Sequence, residues 1–385
     1  MIAKKMVKYV EGSSVIRAMF EEGKKMAAKY GAENVYDFSL GNPSTLPPKE
    51  VNEAIIDIAS NEDPNRLHGY MNNSGYEDVR ESIAENINVK YNTKLNYENI
   101  VMTCGAAGGL NIILKSILNP GDEVIIFAPF FGEYINYVNN FDGKIKIVSA
   151  DTKSFQPNLK ELEKEITSKT KAIIINNENT IIKMSKILKM KEEELGSQIY
   201  LISDEPYREI IYDNAKVPFI LNYYDNSFIG YSYSKSLSLP GERIGYVVVN
   251  SKIKEFKEMV ASLNIANRIL GFVNAPSLFQ RVIKESLNLE VDSNIYKKNR
   301  DLLYNHLIQI GFECMKPEGT FYLFPKSPID NDVKFCEDAK KFNILAVPGS
   351  TFGCPGYFRL SYCISYEKVE KSLKAFDNLM KLYKS

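Results

Sequence analysis

Lys235 lies in Ser232-Tyr-Ser-Lys-Ser-Leu-Ser-Leu-Pro-Gly-Glu-Arg-Ile-Gly245, between two apolar runs, Phe228 to Tyr233 and Ile244 to Val249. A lysine held between strand-like runs is placed for burial, which disfavours the charged ammonium, lowers its pKa and leaves a nucleophilic amine. Such an amine can form a Schiff base with an aldehyde. Serine hydroxyls flank it, and Arg243 follows eight positions on. The plainer alternative is a surface lysine in a serine-rich turn. Asp204 ends the run Tyr200-Leu-Ile-Ser and opens Asp-Glu-Pro-Tyr-Arg208. The carboxyl ends of parallel strands are where α/β sheets gather ligands, although a turn aspartate ahead of proline fits the same residues. Val101-Met-Thr-Cys-Gly-Ala-Ala-Gly-Gly-Leu110 places small residues between a strand and a helix start. Free amides and the helix dipole bind anions at such a point, and close packing alone would also select small residues. Arg359, in Pro355-Gly-Tyr-Phe-Arg-Leu-Ser-Tyr362, is an arginine inside an apolar strand. That is costly unless the guanidinium meets a carboxylate, either that of a ligand held by a bidentate fork or that of an internal Asp or Glu.

These residues need a scaffold, and the chain between about Asn99 and Val249 supplies one. Short apolar runs alternate there with amphipathic helical stretches, the pattern of a parallel sheet covered on both faces. Strands are predicted at Ile100 to Thr103, Glu123 to Phe127, Ile145 to Val148, Ala172 to Ile175, Ile199 to Ser203, Phe228 to Tyr233 and Tyr246 to Val249. After Lys252 the pattern is helical for a long stretch. It then gives Thr320 to Phe324, a helix, Leu345 to Val347, Tyr357 to Tyr362 and a closing helix, which reads as a smaller α+β unit. A helix is also expected from Ser14 to Lys29. No internal repeat or low-complexity tract interrupts this organisation.

Composition narrows the chemistry. The chain has 385 residues, 44% apolar and 25% charged, with 48 basic residues balancing 48 acidic ones. No net field favours nucleic acid or an anionic membrane, so any anion site must be local. No run approaches a membrane span, and the N-terminal stretch lacks the apolar core of a secretory signal. Five cysteines without a C-x-x-C pair argue against a disulfide framework and a zinc site, and two histidines leave little for metal or triad chemistry. A cytoplasmic protein without a metal is the expectation.

The Ser-x-Ser-Lys pattern with arginine eight residues later resembles the cofactor-lysine signature of the pyridoxal-phosphate aminotransferases of fold type I, classes I and II. The resemblance extends from Phe38 to the C-terminal helix. It implies an α/β protein whose large domain has a mostly parallel seven-stranded sheet covered by helices, with a smaller α+β domain beside it. Residues 1–40 would form an N-terminal arm and part of the small domain, 41–275 the large domain and 276–385 the small one. The cofactor would be pyridoxal 5'-phosphate, joined to Lys235. Asp204 would keep the pyridine nitrogen protonated and Tyr207 would contact the phenolic oxygen. The resemblance assigns the phosphate to the amides of Gly105, Ala106 and Ala107, to Ser232, Ser234 and Arg243, and to Tyr70 of the neighbouring subunit in a homodimer with shared sites. Phe131 would stack on the ring, and Arg359 with the amide of Gly41 would hold the substrate α-carboxylate. The implied reaction moves an amino group from an L-amino acid to a 2-oxo acid by a ping-pong route, with Lys235 as general acid and base. A C–S β-lyase or racemase of the same fold, or a cofactor-binding homologue without turnover, shares these residues. Aspartate, alanine, aromatic and branched donors all remain open.

One family motif is missing. The pattern N-P-x-N-P-T-G is expected after the strand that precedes the aspartate strand, yet the chain reads Asn176-Asn-Glu-Asn-Thr-Ile-Ile182, without proline or glycine. Strand runs almost directly into helix, which implies that roughly ten residues are absent near Asn177 and Glu178. Asn176, Asn177 and Asn179 are the candidates to replace the motif's asparagine.

Overall fold

The computed structural model describes residues 2–11, 15–176 and 180–384. Its strands are β1 (Tyr36–Asp37), β2 (Ile100–Thr103), β3 (Glu123–Phe127), β4 (Lys144–Val148), β5 (Thr170–Ile175), β6 (Tyr200–Asp204), β7 (Ser227–Ser232), β8 (Gly245–Val249), β9 (Tyr322–Leu323), β10 (Ile344–Leu345), β11 (Val347–Pro348) and β12 (Phe358–Ser361). Seven of them form one sheet in the order β2-β8-β7-β6-β5-β3-β4. β8 runs antiparallel to both its neighbours, and the other pairings are parallel.

The inner strands of the sheet are buried on both faces, which is why they are near-continuous apolar runs, whereas the edge strand β4 alternates lysine with isoleucine. Period-two geometry sends Ile125, Ile173, Leu201 and Ile229 to one core, packed by helices Lys49–Asn61, Glu77–Tyr91 and Ile181–Leu195. It sends Val124, Ile126, Ala172, Ile174, Ile202 and Phe228 to the other, packed by Gly105–Ile117, Glu133–Asn140 and Phe256–Ile269.

A separate core gathers Phe38, Tyr296, Leu303, Phe321, Leu323, Phe335, Phe358, Leu360 and Phe376 around the three-stranded sheet β11-β12-β9. Phe38 follows β1, which pairs in parallel with β10, so the N-terminal segment adds to this C-terminal unit. Helix Ser277–Ser286 was expected on the small-domain side of residue 276. Its Val282 and Ile283 instead pack into the large core, because the apolar stripe of that helix lies against Lys49–Asn61 and Glu77–Tyr91.

Three further details differ from the sequence pattern. The run expected at Leu345 to Val347 is two strands serving two sheets, β10 with β1 and β11 with β12. The run expected at Thr320 to Phe324 keeps only Tyr322 and Leu323 as strand. The strand expected to reach Tyr233 ends at Ser232, whose Oγ accepts from the amide of Ser234 at 3.2 Å and caps the short helix Tyr233–Ser236. Lys235 therefore sits on a helical turn at the strand's carboxyl end. The helix expected from Ser14 spans Val15–Tyr30, and Ser14 itself lies outside the described residues.

Candidate active site

Sheet register brings the predicted residues to one edge. Ser232 of β7 and Thr103 of β2 both lie opposite Gly245 of β8, while Asp204 of β6 pairs with Gly230 of β7. Because β8 is antiparallel, its start meets the carboxyl ends of β2 and β7, and the carboxyl end of β6 lies beside that of β7. The segments leaving those ends carry Gly105, Arg243, Lys235 and Asp204.

Lys235 donates from Nζ to the carbonyl of Gly41 at 2.6 Å and lies 5.5 Å from the centroid of the Phe321 ring. Burial lowers its pKa to about 8; Cys363 opposes the shift, and Arg243 and Arg359 add to it. Roughly a tenth of the amine is thus unprotonated at pH 7, and more above it, as a nucleophile or base requires.

Asp204 is buried at the end of β6. The hydroxyl of Tyr134 lies 2.7 Å from its Oδ2 and 2.8 Å from Oδ1 of Asn176. A hydroxyl has one hydrogen, and a carboxylate is the stronger acceptor. Oδ1 of Asp204 has no hydrogen-bond partner among the described residues. Burial raises the Asp204 pKa to about 6, the Tyr134 bond lowers it, and Glu205 raises it further. A cationic N–H donor would satisfy the free oxygen and restore the carboxylate, so the residue fits a protonated pyridine nitrogen.

At the neighbouring strand end, helix Gly105–Ile117 begins without a side-chain cap. Its first amides, at Gly105, Ala106 and Ala107, therefore remain available for an anion. Gly105 adopts φ 71°, and a Cβ there would stand 3.0 Å from Nη2 of Arg243. Arg243 itself donates to the carbonyl of Pro240 at 3.0 Å. Ser232 and Ser234 share a hydroxyl contact of 2.7 Å. Amides, guanidinium and hydroxyls at one sheet edge have the donor chemistry of a phosphate cradle.

Arg359 donates from Nη2 to the carbonyl of Ser39 at 2.6 Å. Its guanidinium lies 4.6 Å from the Tyr322 ring centroid and 4.7 Å from that of Phe352. Its Nε is buried without a partner, and no described carboxylate forms an ion pair with it. The internal ion pair is therefore not what accounts for this arginine. A guanidinium close to two aromatic rings, with a donor unused among the described residues, suits a small carboxylate. Gly41 adjoins Tyr322, whose hydroxyl a Cβ at that residue would collide with.

The remaining candidates separate. Tyr207 contacts Tyr322 hydroxyl to hydroxyl at 2.8 Å, and burial raises its pKa well above the ordinary value. Phe131 is 42% exposed and meets Tyr134 edge-on at 5.5 Å, on the rim above Asp204. Tyr70 is 97% exposed and is not brought to these groups within the chain. Asn176 reaches Tyr134, whereas Asn177 and Asn179 lie outside the described residues. Tyr134, Tyr322, Phe352, Ser39 and Cys363 were not singled out from sequence. Tyr134 follows Phe131 by three residues, across the start of helix Glu133–Asn140, a spacing that could have flagged it.

A lysine with a lowered pKa and a buried carboxylate with an open oxygen at one edge of a seven-stranded α/β sheet, with an arginine of the three-stranded sheet that no described carboxylate pairs, suit an aminotransferase-type enzyme of fold type I. The chain belongs to the family described as aminotransferase class I and II, whose model matches residues 33–376. It is similar to an amino transferase of known structure from Eubacterium rectale, at 44% identity, a TM-score of 0.97 and full coverage of both chains. The aspartate aminotransferase structure from Thermotoga maritima is 26% identical, with a TM-score of 0.87 over 99% of this chain and 100% of that one. A probable aspartate/prephenate aminotransferase of Aquifex aeolicus is 30% identical over 92% of each chain. The protein is an aminotransferase, and these relatives do not favour a lyase, a racemase or a non-catalytic binder. The family is generally dependent on pyridoxal phosphate. Among the described residues no helix is long and apolar enough to cross a membrane.

Proposed function

We propose that this aminotransferase holds pyridoxal 5'-phosphate at Lys235 and exchanges amino groups between an L-amino acid and a 2-oxo acid. The observation that carries this reading is the convergence of the Lys235 amine, the partnerless Oδ1 of Asp204 and the Gly105–Arg243 cradle on one sheet edge. When bound, the cofactor supplies an aldehyde for amines to condense with and an electron-withdrawing ring. The residues of the chain do the rest. The amides of Gly105, Ala106 and Ala107, with Ser232, Ser234 and Arg243, hold the phosphate, while Asp204 fixes the proton on the pyridine nitrogen. Tyr207 donates to the ring's phenolic oxygen, and Phe131 covers the open face. Arg359 and the Gly41 segment orient the substrate carboxylate. The Lys235 amine, with a pKa near neutrality, takes and returns the proton on the carbon bearing the substrate's amine.

The relatives named as aspartate or aspartate/prephenate aminotransferases suggest where to begin with donors. Aspartate, alanine, aromatic and branched amino acids, each with 2-oxoglutarate or pyruvate, form the panel, and ping-pong kinetics should give parallel double-reciprocal lines. The exposure of Tyr70 supports a homodimer in which it reaches the partner's phosphate cradle; sedimentation of a monomer would count against that. A cytoplasmic location suits the five free cysteines. The separate cores support a division into two domains, with helix Ser277–Ser286 on the large-domain side. Lys235→Ala should abolish turnover and the pH-dependent visible absorbance of the loaded enzyme, and retention of both would refute the assignment.

A further inference from the structure

Tyr322 touches three groups of the proposed site at once. Strand alternation puts Phe321 and Leu323 into the core at 0% exposure, so Tyr322 faces the site between them. It pairs with Ser361 of β12, which makes Arg359 its diagonal neighbour and explains why the guanidinium lies 4.6 Å from its ring centroid. Its hydroxyl lies 2.8 Å from that of Tyr207. The same hydroxyl occupies the space that a Cβ at Gly41 would need, and Gly41 is the residue whose carbonyl receives Lys235 at 2.6 Å. Packing alone would need only the ring, whereas this hydroxyl has a specific partner.

We propose that Tyr322 is a positioning residue that joins the carboxylate clamp at Arg359 to the proton chemistry around Lys235. Its ring is the platform on which the guanidinium lies, and its hydroxyl donates to Tyr207. With its own hydrogen directed to the cofactor's phenolic oxygen, Tyr207 needs a donor behind it, and a donated bond makes it the stronger donor in turn. The inference rests on the cofactor reading above. Removing the Tyr322 hydroxyl weakens Tyr207, so the loaded enzyme should keep its active-site proton to higher pH.

The test uses the full chain loaded with pyridoxal 5'-phosphate. In Tyr322→Phe the visible absorbance should titrate at higher pH than in wild type, with lower kcat, unchanged KM and an unchanged melting temperature. In Tyr322→Leu, loss of the aromatic platform should also raise KM for the best donor of the panel by roughly fivefold to tenfold. Tyr207→Phe with Tyr322→Phe should titrate where Tyr207→Phe alone does, since a relay has nothing to pass once its second member is gone. A Tyr322→Phe titration that coincides with wild type, or additive shifts in the double variant, would overturn the relay. A wild-type KM in Tyr322→Leu would overturn the platform. Absence of any visible band in loaded wild type would instead count against the cofactor reading itself.

Discussion

Arg300 and Arg359 belong to the same C-terminal unit and are treated in opposite ways. Arg300 is 0% exposed, and its Nη2 lies 2.8 Å from carboxylates of both Asp213 and Asp301. Its Nη1 donates to the carbonyl of Pro317 at 2.8 Å, and its guanidinium lies 4.6 Å from the Tyr212 ring centroid. Arg359 has the aromatic faces and one carbonyl but no described carboxylate. The first is neutralised by the fold. The second has donors to spare, as does the amine of Lys235, and Asp204 has an acceptor oxygen without a described partner. What separates the two arginines is the pairing of their charge among the described residues, not their burial.

Arg359→Leu should break this contrast most sharply. It removes the proposed clamp and no ion pair of the fold, so kcat/KM should fall by roughly a hundredfold or more while the melting temperature changes little. Steady-state kinetics beside thermal melts would check this, and a destabilised variant with wild-type kinetics would count against it. Arg300→Met should do the reverse. Removing one partner of a buried pair costs several kcal/mol, discounted here because Asp213 and Asp301 are 43% and 34% exposed. A loss of about 2–3 kcal/mol in denaturant unfolding is expected, with kinetics per folded molecule unchanged.

A further effect is in the pH dependence of the cofactor-free chain. Lys235 binds its proton less tightly when folded, at about 8 against 10.5, so between those values the unfolded chain carries more protons and stability should rise with pH. Asp204 binds its proton more tightly when folded, at about 6 against 3.8, so stability should fall as pH rises through that window. Lys235→Met should melt higher than wild type at pH 7, and Asp204→Asn should flatten the acidic slope. Unaltered slopes in both variants would show that these groups are not strained by burial.

Much of the scaffold was readable because its strands are short apolar runs bounded by turn residues. The runs at 100–103 and 123–127 coincide with β2 and β3, and the other five sheet strands differ by a residue or two at their ends. The antiparallel direction of β8 was not readable, since hydrophobic pattern carries no strand polarity. Nor was the split at Ala346 between two sheets. Tyr322 was hidden because Thr320 to Phe324 reads as one apolar strand, and alternation alone cannot say which face meets a site. Asn177 and Asn179 lie outside the described residues.

Residue order by itself pointed to the α/β class, the lysine between two apolar runs, the strand-end aspartate, the glycine-rich helix start and the arginine in an apolar strand. Each depends on local periodicity or on a residue type too costly to place without a partner. Tertiary structure decided which of those costs the fold had already met. Arg300 found its carboxylates 87 residues upstream and next door, whereas Arg359 found two aromatic rings and a carbonyl 320 residues away. Such partners are joined across the chain by sheet register and core packing, and no local pattern records them.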